Sequence, residues 1–300
     1  MNSLTVAIPT YKREKDLAEC LESIVSQSTS PTEILIIDDD ALPREYVEQW
    51  EKRCAMQGIT LAYYKKDHKT ERRGLSESKN IILRIAKGDI VCIFDDDTIL
   101  EAGLLTEFMR IWNNAPEKEL LGVGGTIRNT RKKNTIEKIF NGLFGLTSDY
   151  SWDVNDIGYV VWDEWIEETA KGYYMHGGVS SLRREEALKL GFATFSGGRT
   201  EKEDVDFCLR AKQAGYYFIT VPHPKIIHNH SQVSREDEFM IGTKDATNRR
   251  EIFRKYGIQT TRGRIRFCWA SFGWVLRYIL KFRFLAAAGN IYGFLCPARV

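Results

Sequence analysis

Ile90-Val91-Cys92-Ile93-Phe94-Asp95-Asp96-Asp97 decides how the chain is read: five apolar residues run straight into three carboxylates. Five uninterrupted apolar positions suit a strand covered on both faces, as in the middle of a parallel sheet. Such sheets hold ligands beyond the carboxyl ends of their strands, where Asp95-Asp96-Asp97 falls. Adjacent carboxylates repel one another and are costly to bury, so a cation is expected to neutralise them. An oxygen-rich, thiolate-free set suits Mg2+ or Mn2+. A solvated acidic loop after a core strand is the plainer alternative.

The flanking segments repeat the pattern. Leu4–Ile8 reads as a buried strand closed by Pro9-Thr10-Tyr11, and 12–26 carries apolar residues at 17, 21, 24 and 25, a helical period. Glu33–Ile37 is a second strand ending in Asp38-Asp39-Asp40, 44–57 a helix, 61–64 a third strand, and 75–87 a helix ending at Gly88. The alternation predicts a Rossmann-like, mostly parallel α/β sheet with right-handed crossovers and flanking helices. Beyond it, 99–112 has the spacing of one amphipathic helix and 121–126 that of a strand with close backbone contacts. No glycine-rich phosphate loop follows the first strand, so phosphates are expected to be held by metal and side chains.

Charge divides the chain. Nine Lys or Arg and no Asp or Glu follow Glu251, leaving 34 basic against 41 acidic residues in 1–251. An acidic body with a basic tail points to an anionic surface as the tail's partner and away from nucleic acid. The six cysteines are scattered without paired spacing, as reduced thiols of a cytosolic protein are, and the amino terminus is not that of a signal peptide.

An ordered set of short stretches resembles the family-2 glycosyltransferases of the inverting GT-A type. The set is Val6–Arg13, Ile36–Asp40, Arg73–Asn80, Phe94–Asp97, His176–Arg184 and Glu203–Asp206, within residues 4–231. The resemblance implies a nucleotide-sugar donor, a UDP-sugar, lying on Pro9, Thr10, Tyr11 and Arg13, with Asp38 and Asp39 at the base. It places Asp95 toward the ribose and, with Asp97, on Mn2+ or Mg2+, with Asp96 in the donor-side triplet but facing away if the segment stays extended. Lys79 stands where the family carries an arginine near the diphosphate, and a lysine lacks that residue's fork. For Asp38 and Asp39 a turn or helix-cap role is the alternative.

Gly177 and Gly178 are expected beside donor sugar and acceptor, where a missing side chain lets backbone come close. Asp204 is the implied general base, with Glu203 beside it and Asp206 the runner-up; simple complementarity to a helix dipole is the other reading. Of the alternating His228 and His230, His228 is the expected third metal ligand. Aromatic residues crowd 140–165 (Phe140, Phe144, Tyr150, Trp152, Tyr159, Trp162, Trp165), most of them for packing, with Trp162 and Trp165 as sugar contacts on the acceptor side.

The expected division is a catalytic domain over 1–235, its nucleotide-sugar half 1–125 and acceptor half 126–235, then a helical region over 236–300. Basic residues interleaved with Trp, Phe and Leu there suit a helix lying on an anionic leaflet; packing on the domain or on a partner is the alternative. Together these features imply a metal-dependent transferase acting on a glycan or lipid-linked acceptor, peripheral on the inner face of the cell membrane. A sugar nucleotidyltransferase and a non-catalytic sugar-nucleotide-binding scaffold are the competing classes.

Overall fold

The computed structural model describes residues 2–115, 118–148, 152–193, 202–231 and 237–296. Tyr150 and the expected boundary at 235 lie outside them. The chain forms two compact units, one of 1–130 with 164–233 and one of 131–163 with 234–300. Residues 131–163, assigned from sequence to the acceptor half, thus group with the carboxyl-terminal helices.

The first unit begins with β1 (Leu4–Thr10), α1 (Glu14–Val25), β2 (Glu33–Asp38), α2 (Arg44–Ala55), β3 (Thr60–Lys65), α3 (Leu75–Ile85) and β4 (Ile90–Phe94). Strands β3, β2, β1 and β4 lie side by side and parallel, with Val6 opposite both Ile34 and Cys92. β1, β2 and β4 are buried along their whole length, as their unbroken apolar runs require. α1 covers them with Leu17, Leu21, Ile24 and Val25. Each such side chain contributes about 1.5–3 kcal/mol. An exposed pair such as Arg44–Glu48 adds at most about 1 kcal/mol, so the apolar layer between sheet and helices carries the fold.

Past the Asp triplet the expected single helix over 99–112 is not formed. Thr98–Leu100 is strand β5, Gly103 takes a left-handed conformation at φ 84°, and only Leu104–Asn114 is helical as α4. Backbone pairing decides against the helical period: Leu100 and Ile99 lie antiparallel to Ile226 and Ile227, and the Glu101 amide donates to the Lys225 carbonyl. β6 (Leu120–Ile127) precedes the segment that belongs to the second unit; β9 (Ala170–Gly172), β10 (Val179–Arg183), α6 (Arg184–Leu190), α7 (Glu203–Gln213) and β11 (Tyr217–His228) follow it. β10 inserts antiparallel between β4 and β6, so the sheet is parallel in its first half and mixed beyond. This insertion brings the loop before β10 against the acidic end of β4.

The second unit contains α5 (Thr135–Leu143), the short β7 (Asp153–Val154) and β8 (Val160–Val161), α8 (Glu238–Tyr256), α9 (Thr261–Leu280) and α10 (Phe284–Leu295). α8 and α10 touch at their backbones: a side chain at Gly242 would collide with the Ala286 carbonyl, and one at Gly289 with that of Phe239. Buried Asp245 on α8 collects Arg249, the Tyr278 hydroxyl and the Asn290 amide. Among the described residues no helix is long and apolar enough to cross a membrane.

Candidate active site

The first unit carries carboxylates at the carboxyl ends of β2 and β4, and the end of β11 adds an imidazole. Asp95, Asp97 and His228 each offer a ligand atom, and these atoms lie within 4.8 Å of one another. His228 Nε2 is 3.0 Å from Asp97 Oδ1 and 3.9 Å from Asp95 Oδ2. The antiparallel pairing of His228 with Thr98 sets that approach, and the Asn229 amide donates to the Asp97 carbonyl at 2.9 Å.

Asp96 is turned away from this group. Its carboxylate accepts the Thr10 hydroxyl at 2.8 Å and Arg13 Nη1 at 2.9 Å. Two residues expected on the nucleoside thereby brace the acidic turn. Burial outweighs Arg13 and raises the Asp96 carboxyl to about 6. At Asp97 burial also pushes upward, but His228, the Ser231 amide and Arg13 prevail and hold it at about 2.

The loop before β10 closes the other side. The Asp95 amide donates to the Gly178 carbonyl, and any side chain at Gly178 would strike the Asp95 carboxylate. A side chain at Gly177 would stand 2.6 Å from Lys79 Nζ and 3.0 Å from Asp204 Cβ. Gly178 therefore makes room for the Asp95 carboxylate, and Gly177 for the Lys79 ammonium beside Asp204.

Lys79 and Glu203, both buried, meet at 2.7 Å beneath that loop. Burial opposes the Lys79 charge, but Glu203, Asp95 and Asp204 raise its pKa; burial likewise raises the Glu203 carboxyl. The ammonium is thus engaged by Glu203. Asp204, in the first turn of α7 and partly exposed, accepts the Tyr174 hydroxyl at 2.9 Å.

The triplet after β2 is disposed differently. Asp38 is 1% exposed and accepts the Asp40 amide at 2.8 Å, the Leu42 amide at 2.6 Å and the Tyr63 hydroxyl at 2.7 Å. Asp39 takes the Gly74 amide at 2.8 Å and lies 2.9 Å from buried Lys66. Pro9 is buried in β1, and Tyr11, partly exposed, follows it with Lys12 5.2 Å from its ring centre. Trp162 lies in the second unit, with Lys133 5.1 Å above its ring.

Sequence reasoning passed over Glu164, Tyr174 and Lys66. Glu164 is 2% exposed, accepts the Ile127 amide at 2.7 Å and sits 2.6 Å from His176 Nε2. One acid among Asp163, Glu164, Glu167 and Glu168 in an aromatic stretch carries no spacing signal that could have marked it.

Two carboxylates and one imidazole form a hard, thiolate-free donor set that fits Mn2+ or Mg2+. The buried Asp97 Oδ1 takes no well-directed hydrogen bond despite the nearby ring, which leaves a lone pair for an ion.

Comparison with known proteins follows the same lines. The profile described as Glycosyl transferase family 2 matches residues 5–151, and that described as Glycosyl transferase family group 2 matches 90–299. An uncharacterized glycosyltransferase of Haemophilus influenzae is 30% identical over 94 residues, 31% of this chain and only 29% of its own length. A glucosyl-dolichyl phosphate glucuronosyltransferase of Haloferax volcanii is 23% identical over 249 residues, 79% of this chain and 72% of its own. Among solved structures, a mannosyltransferase of Pyrobaculum calidifontis in complex with GDP-Man and Mn2+ superposes with a TM-score of 0.59 at 19% identity. It covers 100% of this chain, which covers 76% of it.

Proposed function

The chain belongs to the family-2 glycosyltransferases, and from that premise we propose a metal-dependent, inverting transfer from a UDP-sugar to a lipid-linked or polysaccharide acceptor. The observation that carries this reading is the convergence of Asp95, Asp97 and His228 beside the Gly178 backbone. A divalent ion held by these three would supply positive charge to the departing diphosphate.

The chain's own groups do the rest. Asp204 receives the acceptor's hydroxyl proton while that oxygen bonds to the anomeric carbon. The bond from that carbon to the donor's phosphate oxygen breaks, its electron pair leaves with the diphosphate, and the configuration inverts. Tyr11 stacks on the base and Asp39 accepts its N–H; the saturation of Asp38 by loop donors favours Asp39 over its neighbour for this contact. Thr10, Arg13 and Asp96 hold the metal-side carboxylates in place, as a supporting shell does.

We assign the enzyme to the inner face of the cell membrane through its second unit. Ile265, Trp269, Phe272 and Leu280 are exposed along α9, as are Leu285 and Leu295 on α10, in a region without acidic residues. Apolar side chains among arginines and lysines suit an anionic leaflet. Paired Trp269→Glu and Leu285→Glu changes should abolish co-sedimentation with phosphatidylglycerol vesicles; undiminished binding refutes the assignment.

The donor is tested by thermal stabilisation with a panel of nucleotide sugars in the presence of Mn2+. Stabilisation by UDP-sugars is expected. Stabilisation by GDP-sugars alone overturns the choice of base, and none by any nucleotide sugar overturns the donor site.

A further inference from the structure

Asp204 is one end of a buried chain of polar groups. The Tyr174 hydroxyl, 4% exposed, donates to Asp204 Oδ2 at 2.9 Å. His176 Nδ1 lies 3.4 Å from that hydroxyl, and its Nε2 lies 2.6 Å from Glu164 Oε1. Glu164 is pinned in turn by the Ile127 amide of β6 on its other oxygen, at 2.7 Å. The rings of Tyr174 and His176 meet edge to face with centres 5.5 Å apart. The segments around 127, 164–176 and 204 are thus joined in one line of contacts that ends on the Asp204 carboxylate.

We propose that Tyr174, backed by His176 and Glu164, is the positioning residue that fixes the Asp204 carboxylate in the orientation that receives the acceptor's proton. The proposal rests on Asp204 being the base.

The donor inventory supports it. A phenol has one proton, and spending it on Asp204 leaves its oxygen to accept from His176 Nδ1–H. One further proton on the 2.6 Å contact between His176 and Glu164, carried by either partner, completes the chain. Burial, followed by the Asp204 charge, raises the Tyr174 phenol well above its ordinary range, so it remains a donor. Orientation matters because Asp204 has competing neighbours: Lys79 and Glu203 also interact with its charge. A carboxylate free to rotate toward Lys79 would present the wrong oxygen to the acceptor. Asp204 Oδ1 accepts the Val205 amide at 2.8 Å, so the Tyr174 hydroxyl is what sets the disposition of Oδ2.

The test follows release of nucleoside diphosphate from a UDP-sugar with Mn2+, water serving as acceptor. Tyr174→Phe should lower kcat by about 10- to 100-fold, as removal of a supporting hydrogen bond does, with donor KM unchanged. His176→Gln should act in the same direction by roughly 3- to 10-fold. In an Asp204→Asn background Tyr174→Phe should have no further effect, since residues acting as a unit are non-additive. Wild-type kcat in Tyr174→Phe, or an equal loss in both backgrounds, overturns the positioning role. Wild-type turnover in Asp204→Asn instead overturns the base itself. Should Tyr174→Phe fold poorly by thermal melt, His176→Gln and its combination with Asp204→Asn decide by the same criteria.

Discussion

The chain contains the same tripeptide twice, each time after a buried strand, and the two copies have opposite fates. After β2, Asp38 gives its oxygens to two loop amides and a tyrosine, and Asp39 lies against Lys66 and the Gly74 amide. After β4, the middle carboxylate alone is absorbed, by Thr10 and Arg13, while Asp95 and Asp97 turn to His228. Both copies end strands of one sheet, so neither composition nor strand position separates them. What differs is the surrounding set of donors. The first turn saturates Asp38 with N–H and O–H donors and sets a lysine against Asp39 Oδ1, whereas the second sets an imidazole against Asp97 Oδ1, and neither of those two buried oxygens takes a well-directed hydrogen bond. In the first triplet Asp38 serves the turn itself and Asp39 faces a lysine; in the second Asp95 and Asp97 face an imidazole and could hold a cation.

Substitution at matched positions breaks or sharpens that contrast. The largest effect is expected from Asp97→Asn: turnover with Mn2+ should fall at least about 100-fold, and stabilisation of the protein by Mn2+ in a thermal melt should vanish. Retention of both would make the triplets equivalent. Arg13→Ala, which unties Asp96 and removes the 3.7 Å pair with Asp97 while leaving His228 in place, should weaken Mn2+ affinity about tenfold in a calorimetric titration. An unchanged titration would deny the second turn its bracing. Asp38→Asn should leave turnover per folded molecule and the response to Mn2+ intact. It should cost about 1.5–3 kcal/mol of stability in denaturant unfolding, the worth of hydrogen bonds to a charge. Smallest, Tyr63→Phe removes a single donor to Asp38 and should cost about 0.5–1.5 kcal/mol with no kinetic effect.

Much of this was legible from residue order. Largely apolar runs of four or five residues mark β1, β2 and β4, and the acidic end of β4 marks the cluster with His228, because burial and strand direction are local consequences of sequence. His228 was legible too, as one of two alternating imidazoles at a strand end. The illegible parts depend on pairing between distant segments. Ile99 and Leu100 have helical spacing but are captured by Ile226 and Ile227. Asp38 and Asp97 look alike until Tyr63 and His228 arrive from elsewhere. Glu164 acquires meaning only where His176 meets it.

The direct contact of α8 with α10 bears on how the second unit can be probed. Gly242 and Gly289 leave no gap between the two backbones, and Asp245 draws Tyr278 and Asn290 from the last two helices. Severing the chain near residue 260 would therefore strip the roof from α8 and strand a carboxylate in the breach. A truncated protein that lost its grip on vesicles would be reporting collapse as readily as lost adhesion. Only point changes on the outward flanks of α9 and α10 separate the two.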